Sequence, residues 1–333
     1  MKKKLFITFI SLLLIAACAA VGIFFWWNSQ LSAPSTDKSV HSVLVKKGSS
    51  AEQIAVSLKE AGVIKNEFVF KLYVRLTKAA SSLPVGEFQI PGNLTVQQVI
   101  EFLKKGPQEV WVTVPEGLRR EQLPSRFVTA LGLSGEKANT FTSEFLSYTA
   151  NDEGYLYPET YLIPKETTAA KAATLMKNTF QKKFGESFTP SAFSLKEVVT
   201  LASLLERETR NITERPDIAA VFLNRIAIGM PLQVDASVQY AKANLTCART
   251  SEGCSDWWPT VYLDDYKLEH PFNTYKINGI PPAPIANPSI SSLQAIVSPA
   301  KNNYLFYIHD KQGIVHFAKT LDEHNANVQK YLR

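Results

Sequence analysis

The chain reads as an α+β protein with a membrane-spanning helix at its N-terminus. Three observations predict this. An uncharged apolar run opens the chain, strand-like and helical segments recur with glycine between them, and a hairpin pattern followed by a helix closes it. With 333 residues there is room for one small and one large domain, each able to bury a core without a disulfide framework.

The apolar run, Leu5 to Trp27, is 23 residues long. As a helix it spans about 35 Å, enough to cross a hydrocarbon layer of roughly 30 Å with slight tilt. Lys2, Lys3 and Lys4 precede it and no basic cluster follows, so the positive-inside rule puts the N-terminus in the cytoplasm and everything beyond Asn28 outside, with Trp26 and Trp27 at the interface. A cleaved signal peptide is one alternative, although its apolar core is usually only about 7–15 residues. A lipoprotein is another, since Ile15-Ala-Ala-Cys18 is similar to a lipobox, but the chain stays apolar through Trp27. Formal charge is +6, and the three leading lysines account for half of it. The remaining +3 is too weak and dispersed for nucleic-acid binding.

Residues 29–41 are polar and aperiodic and read as a linker. Three similar units follow. Val45-Lys-Lys-Gly48 leads into Glu52-Gln53 and an amphipathic stretch ending at Gly62; Ile90-Pro-Gly92 leads into Gln97-Gln98 and a stretch ending at Gly106. Val114-Pro-Glu-Gly117 leads into Glu121-Gln122 and ends at Gly132. Each predicts strand, turn, helix and glycine stop. The first two, residues 42–109, form a small module, and residues 110–333 a larger mixed domain. In that domain Glu153 to Tyr161 is an aromatic strand interrupted by Gly154 and Pro158. Residues 168–184 and 195–209 are helices, Tyr304–Ile308 and Ile314–Phe317 make a hairpin, and a helix runs from Leu321 to Leu332. Pro281-Pro-Ala-Pro284 should be a stiff extended segment, either a groove wall or a connector.

Cys18 lies in the apolar run. Cys247 and Cys254 are seven apart, unlike a CxxC metal or redox motif, and either remain thiols or close a small loop worth about 2 kcal/mol. The five histidines lack ligand spacing, so no metal and no cofactor is expected. No GxSxG elbow is present, which disfavours a serine hydrolase.

Carboxylates in the helix over 195–209 are the candidates for chemistry. At about 100° per residue, Val198, Leu201, Ala202 and Leu205 share one apolar face. Glu206 and Glu208 fall on opposite edges of that face, about 160° apart. They cannot act as a facing pair. One could lean into a cleft while the other caps a helix or pairs with a cation, and periodicity does not choose between them.

The ordered set Leu201-Ala-Ser-Leu-Leu-Glu-Arg-Glu-Thr209, Val221-Phe-Leu-Asn-Arg225, Gly229-Met-Pro-Leu-Gln-Val-Asp235, Asn273-Thr-Tyr275, Gly279 to Pro288 and His324-Asn325 resembles the endolytic murein transglycosylase family, also called YceG-like. The Glu153 to Tyr161 segment fits the same family. Residues 42–109 resemble a LysM-like module, which implies either glycan docking or a spacer. The family resemblance implies a lyase acting on peptidoglycan glycan strands at the cell membrane. It would cut the MurNAc-GlcNAc β-1,4 bond of nascent strands to leave 1,6-anhydro-MurNAc ends, and so terminate elongation beside peptidoglycan synthases. It implies Glu206 as the catalytic acid/base, with Gln233, Asp235, Asn273 and Tyr275 binding substrate. This chain departs from the family at Asp235-Ala-Ser-Val-Gln-Tyr-Ala241, where Asp-Pro-Thr-Val-x-Tyr-Gly is usual, and the stretch Cys247 to Trp258 is individual to it. Trp257 and Trp258 either stack on sugars or pack.

One carboxyl suffices for that chemistry. Ordinary glycosidases need two because one activates water or attacks the sugar. Here the muramic 6-hydroxyl is already tethered, with an effective molarity of ~10⁵ M or more. The acid must hold its proton near neutrality, which costs about 2.7 kcal/mol relative to a free carboxyl. A muramidase that admits water, and a non-catalytic peptidoglycan-binding scaffold, are the competing readings.

Overall fold

The computed structural model describes residues 2–46, 48–77, 85–107, 109–189, 192–247, 254 and 256–333. It is a mixed α+β structure with two compact units, residues 1–111 with 162–166, and residues 112–161 with 167–333.

In the first unit, α1 (Lys2–Leu31) is followed by β1 (Val40–Val45), α2 (Ala51–Glu60), α3 (Glu67–Leu76), β2 (Gly86–Pro91) and α4 (Val96–Lys104). The part of α1 from Leu12 to Leu31 has mean hydropathy 1.9 and is long and apolar enough to cross a membrane. Leu13, Ile15, Phe24 and Phe25 on it are exposed. β1 pairs antiparallel with β2, Val43 opposite Phe88. The two strands bury Val43, Val45, Phe88 and Ile90 against Leu58, Phe70, Val99 and Leu103 of the helices. Each fully buried side chain of this size contributes about 1.5–3 kcal/mol of transfer free energy.

The recurrent polar pair of the sequence has a local cause. Gln53 Oε1 accepts the Ser50 amide at 2.8 Å and Gln98 Oε1 accepts the Thr95 amide at 2.9 Å. In the second unit Gln122 Oε1 accepts the Arg119 amide at 3.1 Å. Each glutamine closes a capping box three residues into its helical segment, which satisfies an otherwise orphaned amide. Gly132 ends the third repeat in the left-handed region, φ 65°, where a Cβ would be strained.

β3 (Glu109–Thr113) pairs with β4 (Thr160–Pro164), and each strand contributes residues to both units. The second unit further holds α5 (Leu123–Leu131), α6 (Gly135–Tyr148), α7 (Ala169–Lys183), α8 (Leu195–Glu208), α9 (Arg215–Ala227), α10 (Asp235–Cys247) and α11 (Ile290–Val297). The antiparallel hairpin β5 (Phe306–His309) with β6 (Val315–Ala318), and α12 (Leu321–Tyr331), complete it. α8 is the central element. Val198 through Leu205 are all buried, packed by α9, α10 and α11.

The expected strand over Glu153–Tyr161 begins only at Thr160. Asn287 Oδ1 takes the amides of Gly154 at 3.0 Å and Leu156 at 2.9 Å, so these donors are withdrawn from any ladder and the segment folds as a turn. Gly154 has φ +86°, and a Cβ there would lie 2.6 Å from Pro284 Cβ. Cys247 and Cys254 are joined as a disulfide; the residues between them lie outside the described ones.

Candidate active site

The site is organised by the last turn of α8. The helix starts at Ser194, whose hydroxyl accepts the Glu197 amide at 3.3 Å while the Glu197 carboxylate accepts the Ser194 amide at 2.7 Å. Its buried faces fix the rotation of the helix, and the two glutamates of the final turn diverge as the wheel requires.

Glu206 is turned toward α9 and α11 and does not line the cleft that Glu208 lines. Its side chain is 6 % exposed and its Oε1 accepts Arg215 Nη2 at 2.9 Å. Its Oε2 accepts the Ser289 amide at 2.9 Å, the Ser289 hydroxyl at 2.5 Å and the Ser292 hydroxyl at 2.8 Å. Ser289 is the N-cap of α11, so the carboxylate sits on the positive end of that helix. Arg215 also reaches Ser289 Oγ and Ser291 Oγ. Glu206, which the resemblance implies as the acid/base, is thus held in a buried polar seat. All its acceptor capacity goes to α9 and α11.

Glu208 lies on the opposite edge and lines a cleft of about 430 Å³ with Arg225, Gln233, Asp235, Tyr275, Tyr307 and neighbours. It is half-buried, and its Oε2 accepts the Tyr307 hydroxyl at 2.7 Å. Loss of water around the carboxyl pushes it up to about 7; the Asp235 charge pushes the same way, while the Tyr307 hydrogen bond and Arg207 oppose. Burial also pushes the Tyr307 hydroxyl well above its ordinary value, so it stays a donor.

The opposite wall comes from residues 230–235. Arg225 Nη1 donates to the carbonyls of Pro231 at 3.0 Å and Leu232 at 2.9 Å and to Gln233 Oε1 at 3.2 Å, and its Nε donates to the Leu305 carbonyl at 2.6 Å. Gln233 is held at φ 55°, among the described residues the one non-glycine in the left-handed region, with its amide on the Thr274 carbonyl at 3.1 Å. That turn delivers Asp235 to the first turn of α10. Asp235 Oδ1 accepts the Tyr275 hydroxyl at 2.7 Å and Oδ2 the Tyr266 hydroxyl at 3.4 Å, and the two rings stand 4.4 Å apart. Burial, then Asp235, raise the Tyr275 hydroxyl far above its ordinary value.

Gln233, Asp235 and Tyr275 thus meet in the cleft as the sequence predicts. Asn273 does not reach it. It is buried, its Nδ2 donates to the carbonyls of Tyr266 at 3.1 Å and Leu268 at 2.8 Å, and its Oδ1 accepts the Tyr275 amide at 3.0 Å, so it shapes the loop that carries Tyr275. Trp257 and Trp258 pack: Arg119 lies over the first at 4.5 Å and Arg207 over the second at 3.9 Å. Sequence reasoning left Glu208 open beside Glu206 and did not single out Arg225 or Tyr307, which also line the cleft. The signal for Glu208 was present in the wheel, which offered two edges, whereas Tyr307 comes from 99 residues downstream. Among the described residues no group of three His, Cys, Asp or Glu side chains is arranged to hold a metal ion.

Chemically, the cleft presents one carboxyl able to hold a proton near neutrality, the Asp235 carboxyl beside it and a hydroxyl that orients the first. Such a set can protonate a leaving oxygen and take a proton back.

Comparison with known proteins shows the family of the chain. The model of the YceG-like family matches residues 43–330. The endolytic murein transglycosylase of Bacillus subtilis (strain 168) is 30% identical over 338 residues, covering 93% of this chain and 90% of the relative. That of Streptococcus pneumoniae serotype 2 is 25% identical over 367 residues; the match covers 97% of this chain and 65% of the pneumococcal protein. A 2.6 Å crystal structure of a YceG-like protein from Listeria monocytogenes aligns with a TM-score of 0.55 at 28% identity, covering 87% of this chain and 99% of that one.

Proposed function

The chain belongs to the YceG-like family, and from that premise we propose that it is a membrane-anchored endolytic murein transglycosylase whose acid and base is Glu208. The observation that carries the residue assignment is the contrast within one helical turn. Glu206 is saturated by Arg215, Ser289 and Ser292, while Glu208 faces the cleft with its carboxyl pushed up to about 7. A carboxyl held near that value can be half-protonated at neutral pH and then change its proton count during a reaction.

The substrate is a peptidoglycan glycan strand, cut at the MurNAc-GlcNAc β-1,4 bond. Glu208 donates its proton to the glycosidic oxygen as the bond to C1 breaks. The muramic 6-hydroxyl attacks C1, the new C1–O6 bond closes the 1,6-anhydro ring, and the Glu208 carboxylate takes the hydroxyl proton. No water is consumed, so one carboxyl serves both steps. Tyr307 orients Glu208, the Asp235 carboxylate stabilises the oxocarbenium-like charge, and Gln233 and Tyr275 position the sugar. Residues 5–27 anchor the chain with its N-terminus in the cytoplasm, residues 42–109 act as a LysM-like module and residues 110–333 as the catalytic domain. Acting on nascent strands beside synthases, such an enzyme would terminate elongation.

The full chain in detergent micelles, incubated with defined peptidoglycan strands, tests this by mass spectrometry of the ends released. Anhydro ends are expected from the wild-type chain and none from Glu208→Gln. Reducing ends that take up oxygen from isotopically labelled water would indicate a muramidase. Anhydro ends formed by Glu208→Gln would overturn the assignment.

A further inference from the structure

A second cleft, of about 560 Å³, lies in the same unit and shares no lining residue with the first. Lys196 at its rim and Glu208 in the first cleft belong to α8, twelve residues and therefore about 18 Å apart along the axis. A ligand here would not touch the reacting carboxyl.

The cleft is built around Arg119, which is 1 % exposed. Its Nε donates to Glu121 at 3.2 Å and its Nη2 to Asn244 Oδ1 at 2.6 Å, while its guanidinium plane lies over Tyr240 at 4.0 Å and over Trp257 at 4.5 Å. Its buried Nη1 has no partner. An unpaired buried donor costs about 1–3 kcal/mol, and more when charged, so an acceptor admitted by a small shift of the lining side chains would recover that energy. The rest of the lining favours an anionic acceptor. Arg120 and Lys196 add two positive charges against Glu121. Glu153 offsets little, because burial and then Glu121 push its carboxyl up to about 8 and leave it largely protonated at neutral pH. Tyr155 and Pro284 supply apolar wall beside these cations. A guanidinium held flat between rings is shaped for a carboxylate.

We propose that this cleft is a remote subsite for a carboxylate of the stem peptide borne by the glycan strand, held by Arg119 with Lys196 at the mouth. The proposal rests on the reading of the chain as a murein transglycosylase, and it makes the peptide, and not only the sugar backbone, part of what is recognised.

Titration calorimetry of the full chain in micelles, carrying Glu208→Gln so that nothing is cut, tests it. The probes are the tetrapeptide L-alanyl-γ-D-glutamyl-L-lysyl-D-alanine and the same peptide with every carboxylate amidated. Saturable binding of the free acid alone is expected, weakened about tenfold by Lys196→Glu and by Arg119→Lys, which keeps the charge but loses the fork. Lys196 is exposed, so its variant decides the matter even if Arg119→Lys does not fold. No binding, equal binding of the amidated peptide, or unchanged affinity in Lys196→Glu would overturn the proposal. Binding is read without cleavage, so failure of the enzymatic reading appears in the product assay and failure of the subsite appears here.

Discussion

Exchanging Glu206 or Glu208 for glutamine removes one carboxylate from the same helical turn, and the structure gives the two changes opposite effects on stability. Glu208 has its folded-state pKa raised from 4.5 to about 7. The folded chain therefore holds the proton more tightly than the unfolded chain. Stability from this group is fully present below about pH 4.5 and is lost progressively as pH rises to about 7. The loss amounts to about 3 kcal/mol above that pH. Glutamine never ionises and still accepts from Tyr307, so Glu208→Gln should be near neutral at acid pH and stabilised by up to about 3 kcal/mol at alkaline pH. Glu206→Gln instead leaves the Arg215 guanidinium, 5 % exposed as a residue and with Nε already unpartnered, without its counter-charge. Removing one partner of a buried pair costs about 3–5 kcal/mol. Urea unfolding of the full chain in micelles, followed by near-ultraviolet circular dichroism on both sides of neutrality, reads both effects. A Glu208→Gln chain less stable than wild type at alkaline pH, or a Glu206→Gln chain of unchanged stability, would refute the division of roles.

Asp235→Asn removes the neighbouring charge that helps hold the Glu208 proton, so the alkaline limb of the kcat/KM profile should move to lower pH, with the maximal rate down by about 10²-fold from lost charge stabilisation. Tyr307→Phe deletes the donor that favours the ionised form of Glu208; the same limb should move to higher pH, with kcat down about tenfold because the carboxyl loses its orienting partner. Gly154→Ala forces a side chain into φ +86° with its Cβ 2.6 Å from Pro284 and 2.7 Å from Val199 Cγ1, and should cost about 3 kcal/mol or more, seen as a lowered Tm.

What was legible in the sequence was what is decided over a few residues. The capping glutamines at 53, 98 and 122 act three residues from their targets, so the repeat could be read directly. The path of α8 and the divergence of its two glutamates also follow from local periodicity. Which edge meets the cleft does not. It depends on Arg215 and on Ser289, 83 residues from Glu206, and on Tyr307. The family resemblance pointed to the first glutamate, and the long-range partners seat that one on α9 and α11 while the second lines the cleft. The aromatic strand failed for a similar reason, since Asn287 takes its amides from 133 and 131 residues away. Gln233, Asp235 and Tyr275, which the resemblance marked, line the cleft, while Asn273, marked with them, holds the loop beneath.

The seat of Glu206 on α11 bears on the aim of its neighbour. The closing turn of any helix tends to fray, because its carbonyls lack intrahelical partners, and here that turn carries the group that, in the proposed mechanism, points at a sugar oxygen. By bolting residue 206 to two other helices, the fold denies the terminus its usual swivel, so the bearing of residue 208 is set before any strand arrives. Loosening that bolt would scatter the proton's line of delivery while leaving the donor chemically intact.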